Sequence, residues 1–449
     1  MRGQALKGST WQGHRLRRES WRLCGAALLL RRSGPRFDPG HVSGKTFRVG
    51  CAARGRPRPS TGNADMRFLE HPLWLVGFRP FFSLAFLSGM ALPVLWAAMF
   101  NGGMAPPPIA ISPVQWHAHE MFFGFGWAVL GGFLLTATKN WVQIRGYHGT
   151  ALMFLVAAWG VERAGMWWQG ELPPGLFLLS NNVFLGSIVA MLLWSLVRNR
   201  EKDSYRDNTF FLLILPAFLV AKQLMLSPEH FQAGVAMALG LFRVAFLVML
   251  ERTVTQFMKG ACQVAILRDP RLDGAIKLLA LALVPAAFGP PLVSGWLGLA
   301  LAVLLMGRFL YWHPALALRR IDIGILYLGY LALVLQIVME FVGLQSAWVG
   351  AVSVHVFSFG VMGLIIPAML TRIAKGHTGR KVAFDAGDKW VLRIMLLGFV
   401  LRIVVPQLHP AGYVLWIALS AACWCACFGI LAWRYIPFLL QARVDGKEH

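Results

Sequence analysis

The chain has 449 residues, 57% of them hydrophobic and 14% charged, with a formal net charge of +23. Soluble chains carry about 25% charged residues, so this composition excludes a disordered protein and is too apolar for one or two water-soluble cores. We therefore expect a polytopic membrane protein. The six cysteines are scattered along the chain, which predicts neither a disulfide framework nor a CxxC zinc site.

Residues 1–65 form a basic segment that is rich in Arg, Gly, Ser and Pro. Its longest apolar run, 23–30, is too short to cross a bilayer, and Arg31 follows directly, where a signal peptide would have small cleavage-site residues. An organellar transit peptide or a cationic arm on anionic lipid would fit this composition. The favoured interpretation is that translation starts at Met66, so that residues 1–65 are a disordered, over-called start and residues 66–449 form one membrane domain.

Each spanning helix needs about 20 mainly apolar residues, and the remaining chain contains twelve such segments. They lie at 78–100, 116–138, 150–168, 174–197, 209–226, 232–257, 274–289, 292–312, 323–343, 346–370, 389–406 and 412–436. Short cytoplasmic loops are enriched in Lys and Arg, and here basic loops alternate with loops that contain neither residue. This alternation predicts an all-α bundle of about twelve transmembrane helices with both termini cytoplasmic. Because the positive charge then lies in loops, it gives no reason to expect a nucleic acid partner.

Ionisable side chains inside membrane spans are costly and are therefore candidates for function. In the predicted orientation, those of this chain gather in the outer half of the bundle. They are His117, His119, Glu120, Glu162, Arg163, Lys222, Glu340, His355 and Arg402. The acids and bases among them suggest pairing around a buried site, although several could instead snorkel to the outer interface or pair structurally. That alternative is preferred for Lys222 and Glu340, which lie within about one turn of the boundary.

The second span begins with the most informative motif, in which His117 and His119 flank an alanine and Glu120 follows. Neutral imidazole is the commonest metal ligand, so the pair could bind copper or haem iron. A hydrogen-bonded pair of interfacial histidines fits the spacing equally well. On a regular helix the two side chains point about 200° apart. They share one site only if the first turn is distorted, and otherwise two cofactors would lie on different sides.

His355 lies deeper, in the tenth span, with aromatic and apolar residues on the same face. It could be a neutral, hydrogen-bonded core histidine. It could also be an axial haem ligand, whose partner ligand would come from the second span. His377 lies in a basic loop on the other side and is not expected to join this site. The cysteines at 423, 425 and 427 point to different sides of a helix and are expected to pack in the core.

Several motifs together resemble the NnrS family. They are GFRPFF at 77–82, HAHEMFFGF at 117–125, GGFLLTATKNW at 131–141, and the His355 segment that leads to TRIAKGHTGR at 371–380. The resemblance covers residues 66–449. It implies a twelve-helix bacterial inner-membrane protein linked to denitrification and nitric oxide stress, whose relatives bind haem and copper. It also assigns Arg79, Arg372, His377 and Arg380 to the basic residues of the family motifs.

The sequence departs from the family pattern at two places. Tyr327 stands where relatives often have a histidine, and residues 251–257 lack the expected RPFFT-like form. One metal could therefore be absent or differently held.

The leading hypothesis is a membrane protein that binds b-type haem, with copper as a second candidate, and supports tolerance to nitric oxide. Its partners would be the lipid bilayer and nitric oxide or a metal-nitrosyl species. The pocket is expected among the second, third, tenth and eleventh spans. His355 and His117 are the preferred ligands, with His119 in reserve. Glu120 would orient an imidazole, and Arg163 or Arg402 would pair with haem propionates.

Two other function classes remain open. A transporter of a metal or small solute would use the outer polar layer as half of an access path, although no internal repeat is evident. A redox enzyme of the haem–copper oxidase or nitric oxide reductase type would, by resemblance to that superfamily, need about six histidines, including an adjacent pair. The chain contains no adjacent pair. No catalytic residue is predicted.

Overall fold

The computed structural model of the protein describes residues 70–447. The predicted extension 1–65 and the predicted start at Met66 lie outside the described residues. Within 70–447 the regular secondary structure is helical, with no strand, and twelve long helices coincide with the twelve predicted spans. They are α1 Phe78–Phe100, α2 Pro113–Trp141, α3 Thr150–Trp167, α4 Pro174–Arg198, α5 Thr209–Leu226, α6 Phe231–Cys262, α7 Pro270–Ala286, α8 Pro291–Tyr311, α9 Ile321–Gly343, α10 Val352–His377, α11 Ala386–Leu408 and α12 Tyr413–Leu439.

Ten of these helices are long and apolar enough to cross a membrane. The other two are α7, which has 17 residues, and α3, whose Glu162 and Arg163 lower its mean hydropathy. The predicted all-α membrane fold with about twelve spans is therefore confirmed. The orientation of the termini stays a prediction. We therefore name the two ends of the bundle by their residues: the 'basic end' is the end at which α2 and α10 terminate, and the 'histidine end' is the opposite one.

The first and last helices pack together and bring the two ends of the described chain side by side. Gly89 permits this approach, because a Cβ atom there would lie 2.8 Å from the ring of Phe428. At the basic end, the buried guanidinium of Arg79 donates hydrogen bonds to the carbonyl oxygens of Leu439, at 2.8 Å, and Gln441, at 2.6 Å. The carbonyls at the end of a helix lack partners within the helix. Arg79 therefore ties α1 to the end of α12.

The start of α2 is fixed by a capping box. The Ser112 hydroxyl accepts a hydrogen bond from the Gln115 amide, while the Gln115 side chain accepts one from the Ser112 amide. Pro113 occupies the first helical position, where the lack of an N–H costs nothing. These contacts set the helical phase of the motif that follows, and so decide which neighbours His117 and His119 face.

Three helices contain π-helical segments, each beside a candidate residue. In α2 the segment is Glu120–Gly126 and begins directly after His119. In α10 it is Val356–Met362 and begins directly after His355. In α11 it is Val400–Val404 and includes Arg402. Short π-helical segments change the phase of a helix and occur often at functional sites. Because the sequence was interpreted with a regular period, their positions were not predicted.

A second layer of buried charge lies at the basic end, so the expectation of a single outer layer is wrong. Glu251 on α6 pairs with Arg268 and accepts from Lys277 at 3.2 Å. Asp273 on α7 pairs with Arg308 of α8 at 3.1 Å. Arg268 was attributed to a basic loop, whereas Glu251, Lys277 and Arg308 lie within the predicted spans and were not singled out as candidates. In the folded chain they satisfy one another between helices.

Candidate functional site

A cavity of about 520 Å³ lies at the histidine end between α1, α2, α6, α10, α11 and α12. This volume is typical of pockets that hold small molecules or cofactors. We call it the histidine cavity, because its ionisable lining residues are His117, His355 and Arg402. Its walls are mainly apolar and aromatic, and include Trp96, Met121, Phe122, Phe359, Met362 and Trp424. The second, tenth and eleventh spans contribute as expected, but the third does not line the cavity.

His355 is oriented by its own backbone. Its Nδ1 atom lies 2.7 Å from the carbonyl oxygen of Ala351. Because a carbonyl can only accept, Nδ1 carries the proton, and in the neutral ring Nε2 then has the free lone pair. A backbone carbonyl on one ring nitrogen is the usual arrangement for a histidine whose other nitrogen binds a metal.

The ring of His117 stacks on Trp96, with ring centroids 4.3 Å apart and planes inclined by 15°. Its Nδ1 atom is buried and has no hydrogen-bond partner within the described chain. Buried polar atoms are almost always paired, since an unpaired one retains the full cost of leaving water. His117 is therefore held in place by an aromatic contact and presents an unsatisfied polar atom at a cavity.

Arg402 brings a buried positive charge to the same cavity. Its side chain is 8% exposed, and its guanidinium lies 5.7 Å from the ring centroid of Tyr413. No carboxylate within residues 70–447 pairs with it. Its hydrogen-bond partner is the side chain of Tyr413, so its charge is not balanced by an acid. A buried charge of this kind is costly in a membrane protein unless it serves a ligand or a partner. An anionic group in the cavity would provide that partner.

His119 lies on the other side of α2, in a closed polar cluster. It is fully buried, its Nδ1 atom lies 3.3 Å from Glu120, and its Nε2 atom lies 3.3 Å from the side-chain amide of Asn181. Glu120 also accepts a hydrogen bond from Arg163 at 2.9 Å. Glu120 therefore contacts an imidazole, as predicted, but that imidazole belongs to His119 and not to the histidine cavity.

The rest of this cluster balances its charges. Glu162 accepts from Arg163 at 2.5 Å and from Lys222 at 2.6 Å, and Lys222 also donates to the backbone carbonyl of Asn181. We call these six residues the α2–α3 cluster: His119, Glu120, Glu162, Arg163, Asn181 and Lys222. Lys222 is fully buried and does not snorkel to the interface. Its pairing is structural, which was the other part of the preferred interpretation.

Glu340 follows the expected pattern more closely. Its side chain is 38% exposed and accepts from Arg243 at 2.8 Å. It thus combines partial exposure with structural pairing, and it does not line the histidine cavity.

The structure therefore divides the predicted site in two. His117, His355 and Arg402 line one cavity, whereas His119 and Arg163 belong to the α2–α3 cluster. The two histidines of the motif face different surroundings, as a regular helix would require, so they do not chelate one ion. The expectation that Arg163 stands beside the cofactor pocket is not met. Trp96 was missed, since an aromatic residue on an apolar span carries no distinguishing signal.

The basic residues of the family motifs lie at the basic end. His377 packs against Phe78, with centroids 5.4 Å apart, and lines a separate cavity of about 460 Å³ with Arg372. Arg372 donates to Asp322, and Arg380 lies over the ring of Phe438 at 3.8 Å. As the predicted orientation required, His377 is remote from the histidine cavity.

The positions that departed from the family pattern also lie away from the histidine cavity. The Tyr327 hydroxyl is buried and donates to the carbonyl oxygen of Trp312 at 2.6 Å.

Cys423, Cys425 and Cys427 are free thiols. In the described part of the chain, no group of three or more His, Cys, Asp or Glu side chains is arranged to hold a metal ion.

Comparison with known proteins adds one finding. The family model described as NnrS protein matches residues 72–443, which is most of the chain. No curated protein matches the chain. The matched segment includes every residue of the histidine cavity and of the α2–α3 cluster.

Proposed function

Since the chain belongs to the NnrS family, we propose that it binds a b-type haem in the histidine cavity and supports tolerance to nitric oxide in the bacterial inner membrane. The family makes it a nitric-oxide-related membrane protein in general terms. We further propose that both termini lie in the cytoplasm, as the basic loops predict. The observation that carries the proposal is a cavity in which two imidazoles and one guanidinium without a carboxylate partner in residues 70–447 meet apolar walls.

These residues fit haem better than an ion held by protein ligands alone. The macrocycle supplies four nitrogen ligands to its iron, so the protein needs to add only one or two. The histidine cavity offers His355 and His117 for that role, on two different helices. Arg402 would hold a propionate, which is the anionic partner that it lacks. Copper has less support here, because His117 and His119 face apart and the described residues form no three-ligand group.

Each residue would contribute through the contact described above. The Ala351 carbonyl fixes the tautomer of His355 and leaves its Nε2 atom free to bind a metal. Trp96 holds the ring of His117 in the wall of the cavity. When bound, haem supplies an iron that takes up small diatomic ligands such as nitric oxide. The apolar walls exclude water from that ligand.

The path through the bundle does not favour a metal transporter. Met362 is shared by the histidine cavity and a small apolar cavity of about 70 Å³, which in turn shares Phe133 and Met369 with the cavity of His377. The small cavity is lined almost wholly by apolar side chains. An ion would lose its hydration there without gaining a ligand. Within residues 70–447, these three cavities therefore do not join into a polar path for a charged solute between the two ends.

Optical spectra of purified variants test the proposal. We expect the wild-type protein to be coloured, with a haem Soret band and about one haem per chain by pyridine haemochrome assay. His355→Ala and His117→Ala should each lose haem or shift the band, because each removes a side chain that would hold the haem iron. His377→Ala is the matched control, since it removes a buried histidine from the other cavity. Full haem content with an unchanged spectrum in both cavity variants would refute this assignment.

A further inference from the structure

A second concave surface lies at the basic end, between the ends of α6, α9, α10 and α11. It encloses about 1040 Å³ and is strongly positive. Its ionisable lining residues are Arg319, Arg320, Asp322, Arg372, Lys389 and Arg393. We call it the basic cleft. Five bases and one carboxylate leave a net charge of +4 in one recess, so the cleft is suited to an anion.

Internal pairing leaves most of this charge available. Asp322 accepts from Arg320 at 3.1 Å and from Arg372 at 3.2 Å, and so serves two of the five bases. The other three, Arg319, Lys389 and Arg393, are exposed and form no ion pair with any carboxylate of residues 70–447. Arg372 is buried, and its Nε atom has no hydrogen-bond partner in the same range. The cleft therefore offers free donors both at its rim and at its wall.

The helix that carries two of these bases continues as an exposed apolar face. Arg393 follows Lys389 by four residues, and Leu397, Val400 and Val404 continue the same face at helical spacing. These three apolar side chains are 52%, 37% and 42% exposed. A helix face that changes from basic to exposed apolar marks the level at which headgroups give way to acyl chains.

Trp390 stands at the same level. It is 58% exposed, and the guanidinium of Arg393 lies 5.0 Å from its ring centroid. Tryptophan is enriched at membrane–water interfaces because its ring is largely apolar and its N–H is polar. An exposed tryptophan beside the bases of the cleft is therefore typical of a surface at the lipid interface.

We propose that the basic cleft binds the phosphate headgroup of an anionic phospholipid, whose acyl chains lie along the Leu397 face of α11. Arginine suits phosphate because its planar donors can form two parallel hydrogen bonds with one group. Basic pockets between membrane helices are a recurrent way to hold such headgroups. Free inorganic phosphate shares this chemistry but would make no contact with the apolar face. This proposal does not depend on haem.

Lipid retention by the full chain tests the proposal. The protein is reconstituted in nanodiscs of phosphatidylcholine with a minor fraction of cardiolipin or phosphatidylglycerol, transferred to detergent, and its bound anionic lipid is measured by native mass spectrometry. The triple variant Arg319→Ala, Lys389→Ala, Arg393→Ala should bind anionic lipid roughly a hundredfold more weakly. The reason is that each base near the membrane surface raises the affinity for anionic lipid by a factor of about ten or less. All three residues are exposed, so the fold should persist, and Arg393→Ala alone should give a smaller loss.

A matched control separates the cleft from general charge. Arg198, Arg200 and Lys202 are exposed bases at the end of α4, and their triple alanine variant loses the same charge. Retention should be unchanged in this control. Equal losses in both triple variants would overturn the proposal, because the bases would then attract lipid only through net charge. Binding of inorganic phosphate that displaces the lipid and is insensitive to Leu397→Gln would identify free phosphate as the ligand and would also overturn it.

Discussion

The two sides of α2 offer a direct comparison, because His117 and His119 are two residues apart and meet opposite surroundings. His119 lies among acids and bases that pair with one another until little charge is left over. His117 stacks on an indole and faces a cavity with an unpaired nitrogen. Paired charges stabilise a fold, whereas an unpaired polar atom that faces a cavity suits a ligand. The cluster also contains unpaired atoms, Glu162 Oε2, Arg163 Nε and Asn181 Oδ1, but these residues line none of the cavities described above. Both histidines stand in the same motif, so the motif alone does not reveal which one binds.

The comparison also separates stability from binding. Removing one member of the α2–α3 cluster would leave a buried charge without its partner, which is expensive in a low-dielectric interior. Removing a side chain from the histidine cavity would enlarge a space that is already open. Substitutions on the two sides of α2 should therefore act on different measured quantities.

The largest effect is expected for Lys222→Met. It leaves Glu162 with Arg163 as its remaining charged partner, and Arg163 is shared with Glu120. We expect the free energy of unfolding to fall by about 3 to 5 kcal/mol, measured by denaturant titration in mixed micelles. The double variant Lys222→Met, Glu162→Gln should recover part of this loss, because no charge is then stranded. A double variant that is less stable than Lys222→Met would contradict the pairing described here.

A smaller effect is expected for Gly124→Ala, in the π-helical segment of α2. A Cβ atom at Gly124 would lie 2.3 Å from the Nη1 atom of Arg163, so the arginine that links the two acids must move. Overpacking of this kind costs about 1 to 3 kcal/mol, measurable as a lower midpoint of thermal unfolding. Gly186→Ala is the control, because a Cβ atom at Gly186 has no described neighbour within 4 Å. Equal midpoints for the two variants would show that the arginine relaxes freely.

Hydropathy and loop charge were sufficient to predict the helices. Each span is long enough to be recognised from its hydropathy. A missed helix would have assigned every later loop to the wrong side of the membrane, so the distribution of Lys and Arg among the loops checked the number of helices. The burial of individual ionisable side chains was harder to predict. Lys222 was placed at the boundary because it stands near the end of α5, but Glu162 and the Asn181 carbonyl keep it buried. Such partners lie on other helices, and one sequence does not specify which helices are neighbours.

The candidate site was predicted in its residues but not in its grouping. His117, His355 and Arg402 were all singled out, since each is ionisable and lies within a span. His117 and His119 precede the π-helical segment of α2, so their opposite directions follow from regular helical spacing. Which residues they meet depends on the packing of α1 and α12 beside α2, and on the phase of α10 and α11, which contain π-helical segments beside His355 and at Arg402. A phase change of one residue moves a side chain by a large angle around the helix. Without neighbouring helices to fix that phase, the grouping was not accessible from spacing.

The smallest effect on stability is expected for His117→Ala, and it tests the comparison most directly. The lost stacking on Trp96, worth about 0.5 to 1.5 kcal/mol for aromatic pairs, is offset because the variant also removes an unpaired buried nitrogen. We expect the free energy of unfolding of the haem-free protein to change by less than about 1 kcal/mol. His119→Ala should cost about 2 kcal/mol, because it strands the amide of Asn181 and one contact of Glu120. It should nevertheless keep the haem spectrum that His117→Ala loses. Two variants that lose stability and haem to the same extent would mean that α2 has one site and not two.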